Sequence, residues 1–253
     1  MRITSCGITD VGVKRVNNED NYLINDELNL FVVCDGMGGH AGGEFASAIA
    51  VNTVEEVLAS LETTPEIEAA REDGAVEVTR ERLRYAIRLA GKRIFEKAKA
   101  EPGYHGMGTT CLVLLLDGGN AFVAHVGDSR GYLVRDGRIE QLTEDHSLVN
   151  ERIRQGLLTP EQARTFKHKN IITRSLGYTE DVDIDIQVRA VRRGDRFLLC
   201  SDGLSNLVEA AELGETVRSL GPQDAARRLV RLACEHGGDD NITAVVARVD
   251  DLG

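Results

Sequence analysis

The chain has 253 residues, with 30 Lys+Arg against 41 Asp+Glu and a formal charge of −11. Its few basic pairs, such as Arg192-Arg193 and Arg227-Arg228, are diluted by acids, which excludes nucleic acid as the main partner. With 42% apolar and 28% charged residues it is a globular chain, and no apolar run is long enough to span a bilayer.

Short β-rich runs at 3–9, 21–24 and 28–34 predict three strands. The period then changes. Ala46, Ile49, Ala50, Val54, Val57 and Leu58 recur on one helical face, predicting a helix over 44–61. Residues 62–74 are acidic and contain Pro65, and read as an exposed connection. A second helix is predicted over 76–100. Strands follow at 109–116, 120–126, 131–135 and 139–142, with hairpin turns at Gly118-Gly119 and Asp136-Gly137. Residues 147–166 look helical but are broken at Gly156 and Pro160. Strands at 184–191 and 196–200, helices over 210–220 and 222–236, and a closing strand at 241–249 complete the chain. Hairpin strands with helices inserted in pairs fit antiparallel sheets covered by helices, hence one α+β domain over 1–253.

Cys6, Cys34, Cys111, Cys200 and Cys234 form no CxxC pair, and an odd count suits a reducing compartment. Small buried side chains are the expectation, and structural zinc is not. Residues 1–6 contain no apolar signal block, so the expected location is cytoplasmic, with no membrane partner.

The informative feature is where aspartates fall. Asp35, Asp128 and Asp202 each end an apolar strand, Asp239-Asp240 precede the closing strand, and Glu19-Asp20 precede the strand at Tyr22. A rigid strand end is how a fold positions hard oxygen ligands. Carboxylates brought together repel one another unless a cation neutralises them, and all-oxygen ligation favours Mg²⁺ or Mn²⁺ over Zn²⁺. For any single Asp-Gly the alternative is an ordinary turn. The glycine-rich run 36–43 has the look of a dinucleotide-binding loop. However, Asp35 would repel a pyrophosphate there, and no second strand with a ribose-binding acid follows. The five other histidines besides His40 lack ligand spacing, and structural or surface roles are expected for them.

Taken in order, several segments resemble the metal-dependent protein Ser/Thr phosphatases of the PPM (type 2C) family in compact bacterial form. They are Thr9-Asp10-Val11-Gly12 with Arg15 and Asn18-Glu19-Asp20, then Val33-Cys34-Asp35-Gly36-Met37-Gly38-Gly39-His40 and Met107-Gly108-Thr109-Thr110. Val126-Gly127-Asp128-Ser129-Arg130, Thr143-Glu144-Asp145-His146-Ser147 and Ile172-Thr173-Arg174-Ser175-Leu176-Gly177 follow. Leu199-Cys200-Ser201-Asp202-Gly203-Leu204 and Asp239-Asp240-Asn241-Ile242-Thr243 complete the set. The resemblance implies a four-layer α-β-β-α sandwich of two antiparallel sheets flanked by helices. It implies two tightly bound Mn²⁺ or Mg²⁺ ions bridged by Asp35, with the Gly36 carbonyl, Asp202 and Asp240 as ligands, and Glu19 and Asp20 holding waters. Asp128, with Asp202, is implied for a third, weaker ion. Arg15 matches the phosphate-binding arginine, and 146–170 matches a mobile flap expected to tune substrate choice through Arg164 or Lys167.

Two departures stand out. Met37 occupies the position where some members have a general-acid histidine, which makes the later His40 a candidate proton donor. Asn206 replaces an acid that some members carry four residues after the Asp of Ser-Asp-Gly. The expected activity is hydrolysis of phosphoserine and phosphothreonine by a metal-activated water, opposing a Ser/Thr kinase. The expected partners are phosphorylated proteins, including that kinase, and the expected state is a monomer. A non-catalytic binding module and a nucleotide-binding enzyme are the alternatives.

Overall fold

The computed structural model describes residues 1–38, 42–60, 63–164, 166 and 171–252. The chain opens with strands β1 (Arg2–Asp10), β2 (Asp20–Asn25) and β3 (Leu30–Met37), then helices α1 (Gly42–Ala59), α2 (Pro65–Ala69) and α3 (Ala75–Ala100). Strands β4 (Gly108–Thr109), β5 (Cys111–Asp117), β6 (Asn120–Val126), β7 (Arg130–Arg135) and β8 (Arg138–Gln141) follow. After short helices α4 (Leu148–Arg154) and α5 (Pro160–Arg164) come β9 (Asp185–Ala190) and β10 (Arg196–Cys200). Helices α6 (Asp202–Ser205), α7 (Ala210–Ser219) and α8 (Pro222–Glu235) lead to β11 (Ile242–Asp251).

The strands form two antiparallel sheets. One runs β1-β11-β10-β7-β8; the other runs β2-β3-β5-β6-β9, with β4 attached to β3. Strand alternation explains the layering, because successive side chains point to opposite faces. From β3, Phe31 and Val33 enter the core between the sheets, while Leu30, Val32 and Cys34 face α1 and α3. From β10, Phe197 and Leu199 enter the same central core, while Leu198 and Cys200 face α7 and α8. Three buried layers result, each fully burying side chains worth about 1.5–3 kcal/mol apiece. They build the α-β-β-α sandwich expected from the resemblance.

Antiparallel pairing brings the informative loops to one edge. The end of β3 lies beside the start of β2, with Asp35 opposite Asp20. The end of β10 lies beside the start of β11 and the start of β7. The turn between β6 and β7 holds Asp128 at the same edge.

Some elements differ from expectation. Residues 62–74 hold a real helix, α2. Thr64 Oγ1 caps the Ile67 N–H, Pro65 starts the first turn, and Ile67 and Ala70 are buried. Acidic composition hid those two anchors. The strand expected at 109–116 is interrupted at Thr110, because Gly108 and Thr109 pair with Met37 and Gly36 at the end of β3. The helical stretch 147–166 is two short helices, separated by Gly156 at φ 70°. The short helix α6, beginning on Asp202, carried no periodic signal. Cys34, Cys111 and Cys200 are buried, Cys6 and Cys234 only partly, and all five are free thiols.

Candidate active site

Each acid is presented by a defined local structure. Asp35 is fixed through its backbone: its N–H donates to Thr110 Oγ1 at 2.9 Å, and its carbonyl accepts from Thr110 N and Thr109 Oγ1, each at 2.9 Å. Thr110 Oγ1 also lies 2.8 Å from Ser129 Oγ, linking Asp35 to the turn that carries Asp128. Asp20 is buried, and its Oδ2 accepts from Ser201 Oγ at 2.7 Å and Thr243 Oγ1 at 2.6 Å. Asp202 opens α6, and Asn206 Nδ2 donates to its Oδ2 at 3.1 Å. Position 206 therefore supplies a donor to Asp202 rather than a further acid. Gly203 is required beside Asp202, because a Cβ there would stand 2.0 Å from the Asn241 carbonyl oxygen.

Burial and mutual repulsion shape the charge of these groups. Burial is the larger cause holding Asp35 well above the usual carboxylate range, and Asp20, Asp202, Asp128 and Asp240 add to it. Asp20 and Asp128 are each pushed up to about 7, chiefly by burial. Asp202 is raised to about 6 by burial and then by Asp240, and a hydrogen bond with Asp35 opposes this. Glu19 is raised by burial, with Arg15 opposing. The structure thus gathers Asp20, Asp35, Asp128, Asp202 and Asp240 closely enough to resist one another's ionisation.

The residues fit a divalent cation. Asp20 Oδ1 and Asp128 Oδ1 are buried and have no hydrogen-bond partner among the described residues. A buried carboxylate oxygen left unpartnered is costly, and a hard cation or its water shell satisfies it. The donors are all oxygen, which suits Mn²⁺ or Mg²⁺.

A cleft of about 1050 Å³ opens over this centre. Arg15, Glu19, Asp35, Gly36, Asp202 and Asp240 line it, whereas Asp20 and Asp128 lie outside its lining. Arg15 Nη2 is 2.7 Å from Asp240 Oδ2. Met37 lines the cleft too and has no proton to give. His40 lies outside the described residues, as do Lys167 of the expected flap and the side chain of Arg164. The glycine-rich run serves close packing. A Cβ on Gly36 would stand 2.2 Å from the Gly43 carbonyl oxygen, and one on Gly43 would stand 2.7 Å from Glu19 Oε2. Glycine lets the end of β3, the start of α1 and Glu19 meet.

The organising role of Asn241 was not read from the sequence. Asn241 Oδ1 accepts from the Glu19 N–H at 2.8 Å, and its Nδ2 donates to the carbonyls of Val11 at 3.0 Å and Asn17 at 2.9 Å. It clamps the loop bearing Arg15 and Glu19 to the strand start bearing Asp240. Arg130 is bound by Asp145, with Nε at 2.9 Å from Oδ1 and Nη2 at 2.6 Å from Oδ2, and does not line the cleft. His125 and His146 are buried and stacked, the structural of the two roles expected for them.

Comparison with known proteins agrees with this geometry. The family profile described as Protein phosphatase 2C matches residues 13–234. The chain is 38% identical over 243 residues to the serine/threonine protein phosphatase PstP of Mycobacterium tuberculosis, covering 96% of this chain but 44% of PstP, so it spans less than half of that relative. It is 38% identical over 250 residues to the protein phosphatase PhpP of Streptococcus pneumoniae, covering 96% of each. The crystal structure of the PstP catalytic domain in complex with two manganese ions superposes with a TM-score of 0.84 at 35% identity, covering 98% of this chain and 99% of that one. A fold, an ordered motif set and a sequence match over most of the length coincide: this chain belongs to the protein phosphatase 2C family.

Proposed function

We propose that this chain is one catalytic domain that hydrolyses phosphoserine and phosphothreonine in proteins, opposing a Ser/Thr kinase in the cytoplasm as a monomer. The observation that carries the reading is the convergence of five aspartates at one sandwich edge, beneath a cleft whose lining includes Arg15. Asp35, the Gly36 carbonyl, Asp202 and Asp240 would hold two Mn²⁺ or Mg²⁺ ions, and Asp128 with Asp202 would hold a third, weaker one. When bound, such ions acidify a water for attack on phosphorus and neutralise the phosphoryl oxygens.

The chain's own groups do the rest. Thr109 and Thr110 hold the backbone of Asp35 in place, which fixes the point from which its carboxylate extends. Asp20 offers Oδ1 to water while Ser201 and Thr243 fix Oδ2. Glu19, on the cleft wall, accepts from water in the same way. Arg15 presents a planar fork to two phosphate oxygens. The departing alkoxide needs a proton, and His40, the titratable side chain of the glycine-rich sequence 36–43, is its proposed source. No helix among the described residues is long and apolar enough to cross a membrane.

The test is release of phosphate from a phosphothreonine peptide with Mn²⁺, Mg²⁺ or EDTA. Turnover with either ion and none in EDTA is expected. Full turnover in excess EDTA contradicts the reading.

A further inference from the structure

A second set of polar side chains lies behind one wall of the cleft. His125 is opposite Asp185 in the β6–β9 ladder. Its ring stacks on that of His146, with centroids 4.7 Å apart and planes 17° from parallel. His146 Nε2 is 3.3 Å from Asp185 Oδ2, and Arg174 Nη1 is 3.2 Å from Asp185 Oδ1. The ligand-type atoms of His125, His146 and Asp185 lie within 4.8 Å of one another, a spacing that invites a metal ion.

Three features exclude the ion. The stacked rings hold their in-plane lone pairs in two separate, nearly parallel planes, which disfavours a common ion between them. His146 Nδ1 accepts the Gly127 N–H at 3.1 Å, so the ring's proton is assigned to Nε2, which then has no lone pair to offer. The Arg174 guanidinium also stands 3.3 Å from that Nε2, where it would repel a second cation.

The same tautomer gives the cluster another use. His146 Nε2–H donates to Asp185 Oδ2, and Asp185 Oδ1 accepts from Arg174. Asp185 is thereby fixed on both oxygens and holds Arg174 against the wall through Nη1. The Nε and Nη2 groups of Arg174 have no partner among the described residues, and Arg174 lines the same cleft as Arg15 and Asp35. The wall itself is anchored. Thr173 N–H donates to the His146 carbonyl at 2.8 Å, and Leu176 N–H to the Thr109 carbonyl at 2.9 Å. Arg174 is therefore a placed side chain rather than part of a swinging flap.

We propose that Arg174 is a second substrate-binding residue, donating to oxygens of the substrate polypeptide beside the phosphorylated residue, with Asp185 and His146 as its positioning residues. The inference rests on the phosphatase reading above. Asp185 already balances the charge of Arg174, so what remains is a plane of N–H donors suited to peptide carbonyls. Val16 and Tyr178 support a polypeptide occupant. They are 92% and 77% exposed and line the same cleft, and a bare phosphate makes no use of such apolar surface.

The test compares wild type with Arg174→Gln, full chain with Mn²⁺, on a phosphothreonine peptide and on a small aryl phosphate. Loss of one or two hydrogen bonds predicts a KM for the peptide about five- to twentyfold higher, with kcat within about twofold. The loss in kcat/KM on the aryl phosphate is expected to be at least about fivefold smaller than on the peptide. Asp185→Asn should shift peptide KM in the same direction but less, and Arg174→Lys should recover part of the loss. If Arg174→Gln fails to fold, as judged by thermal melting, Arg174→Lys and Asp185→Asn carry the same comparison. Unchanged peptide KM, or equal losses on both substrates, overturns the proposal. Wild type that hydrolyses neither substrate overturns the phosphatase reading and this proposal together. Wild type that hydrolyses both, with variants indistinguishable from it, removes only the role of Arg174.

Discussion

Arg15 Nη2 lies 2.7 Å from Asp240 Oδ2, so a guanidinium occupies one oxygen of a carboxylate assigned to cation binding. The fold supplies Asp240 as the partner of that arginine from 225 positions away. Both side chains are substantially exposed, at 52% and 37%, so the pair is worth no more than about 1 kcal/mol. A divalent ion can displace it. Arg15→Ala should therefore leave Mn²⁺ affinity, measured by calorimetry, unchanged or tighter by up to about fivefold. On a phosphopeptide it should lower kcat/KM by about ten- to a thousandfold, the loss of one or two charge-assisted hydrogen bonds at roughly 1.5–3 kcal/mol each. Arg15→Lys should recover only part. Wild-type kcat/KM in Arg15→Ala would make the arginine structural.

Burial and the charges of Asp20, Asp202, Asp128 and Asp240 all oppose ionisation of Asp35, the ligand proposed to serve both ions. Asp35→Asn should abolish turnover and yet raise the melting temperature in EDTA, by about 2–4 °C for each 1 kcal/mol of repulsion relieved. Asp202→Asn and Asp240→Asn should be nearly as severe for turnover. Asp128→Asn should slow the reaction while two ions remain bound. A lower melting temperature of Asp35→Asn in EDTA would show that the carboxylate stabilises the metal-free fold more than its repulsion weakens it.

The pH dependence of stability follows from the same groups. The folded chain takes up protons on Asp20 and Asp128 near pH 7 and on Asp202 near pH 6, whereas unfolded aspartates do so near 3.8. Between those values the folded state binds more protons, so without metal its stability rises as pH falls from 8 towards 6 and is lost on the way back up. His125 and His146 act oppositely. Burial lowers both below 6.5, so the unfolded chain binds their protons first, and below about pH 6.5 they offset part of what the aspartates contribute. Melting temperature in EDTA should rise from pH 8 to pH 6, with the rise flattening below about pH 6.5, and Mn²⁺ should raise it more at pH 8 than at pH 6. A metal-free protein that melts higher at pH 8 than at pH 6 would contradict this.

Asn241, just before β11, makes three hydrogen bonds to the segment bearing Val11, Asn17 and Glu19. Asn241→Ala should cost about 2–4 kcal/mol, because it leaves the Glu19 N–H and two carbonyls without it. It should also weaken Mn²⁺ binding. Differential scanning calorimetry and metal titration read the two effects separately, and wild-type values in both would remove the clamp.

The acids were legible because each interrupts an apolar strand at its end, a pattern that survives without knowledge of the fold. Their supports were not. Ser201 reaches Asp20 across 181 positions and Thr243 across 223, and neither hydroxyl carries a local signal. The stacked histidines were hidden for the same reason: His125 meets Asp185 only once β6 and β9 are known to pair. The sandwich itself was readable from hairpins and paired helices, but the division into three cores depends on strand alternation in both sheets together. The helix at 65–69 escaped notice because only Ile67 and Ala70 anchor this acidic stretch.

The most direct measurement is phosphate release from a phosphothreonine peptide as Mn²⁺ is titrated into metal-free protein, with bound Mn²⁺ counted in parallel, for wild type and Asp35→Asn. The account predicts turnover that rises with occupancy of two ions in wild type and is absent in Asp35→Asn at any Mn²⁺ concentration. Phosphate release by Asp35→Asn at the wild-type rate, or by wild type before any ion is bound, would contradict it.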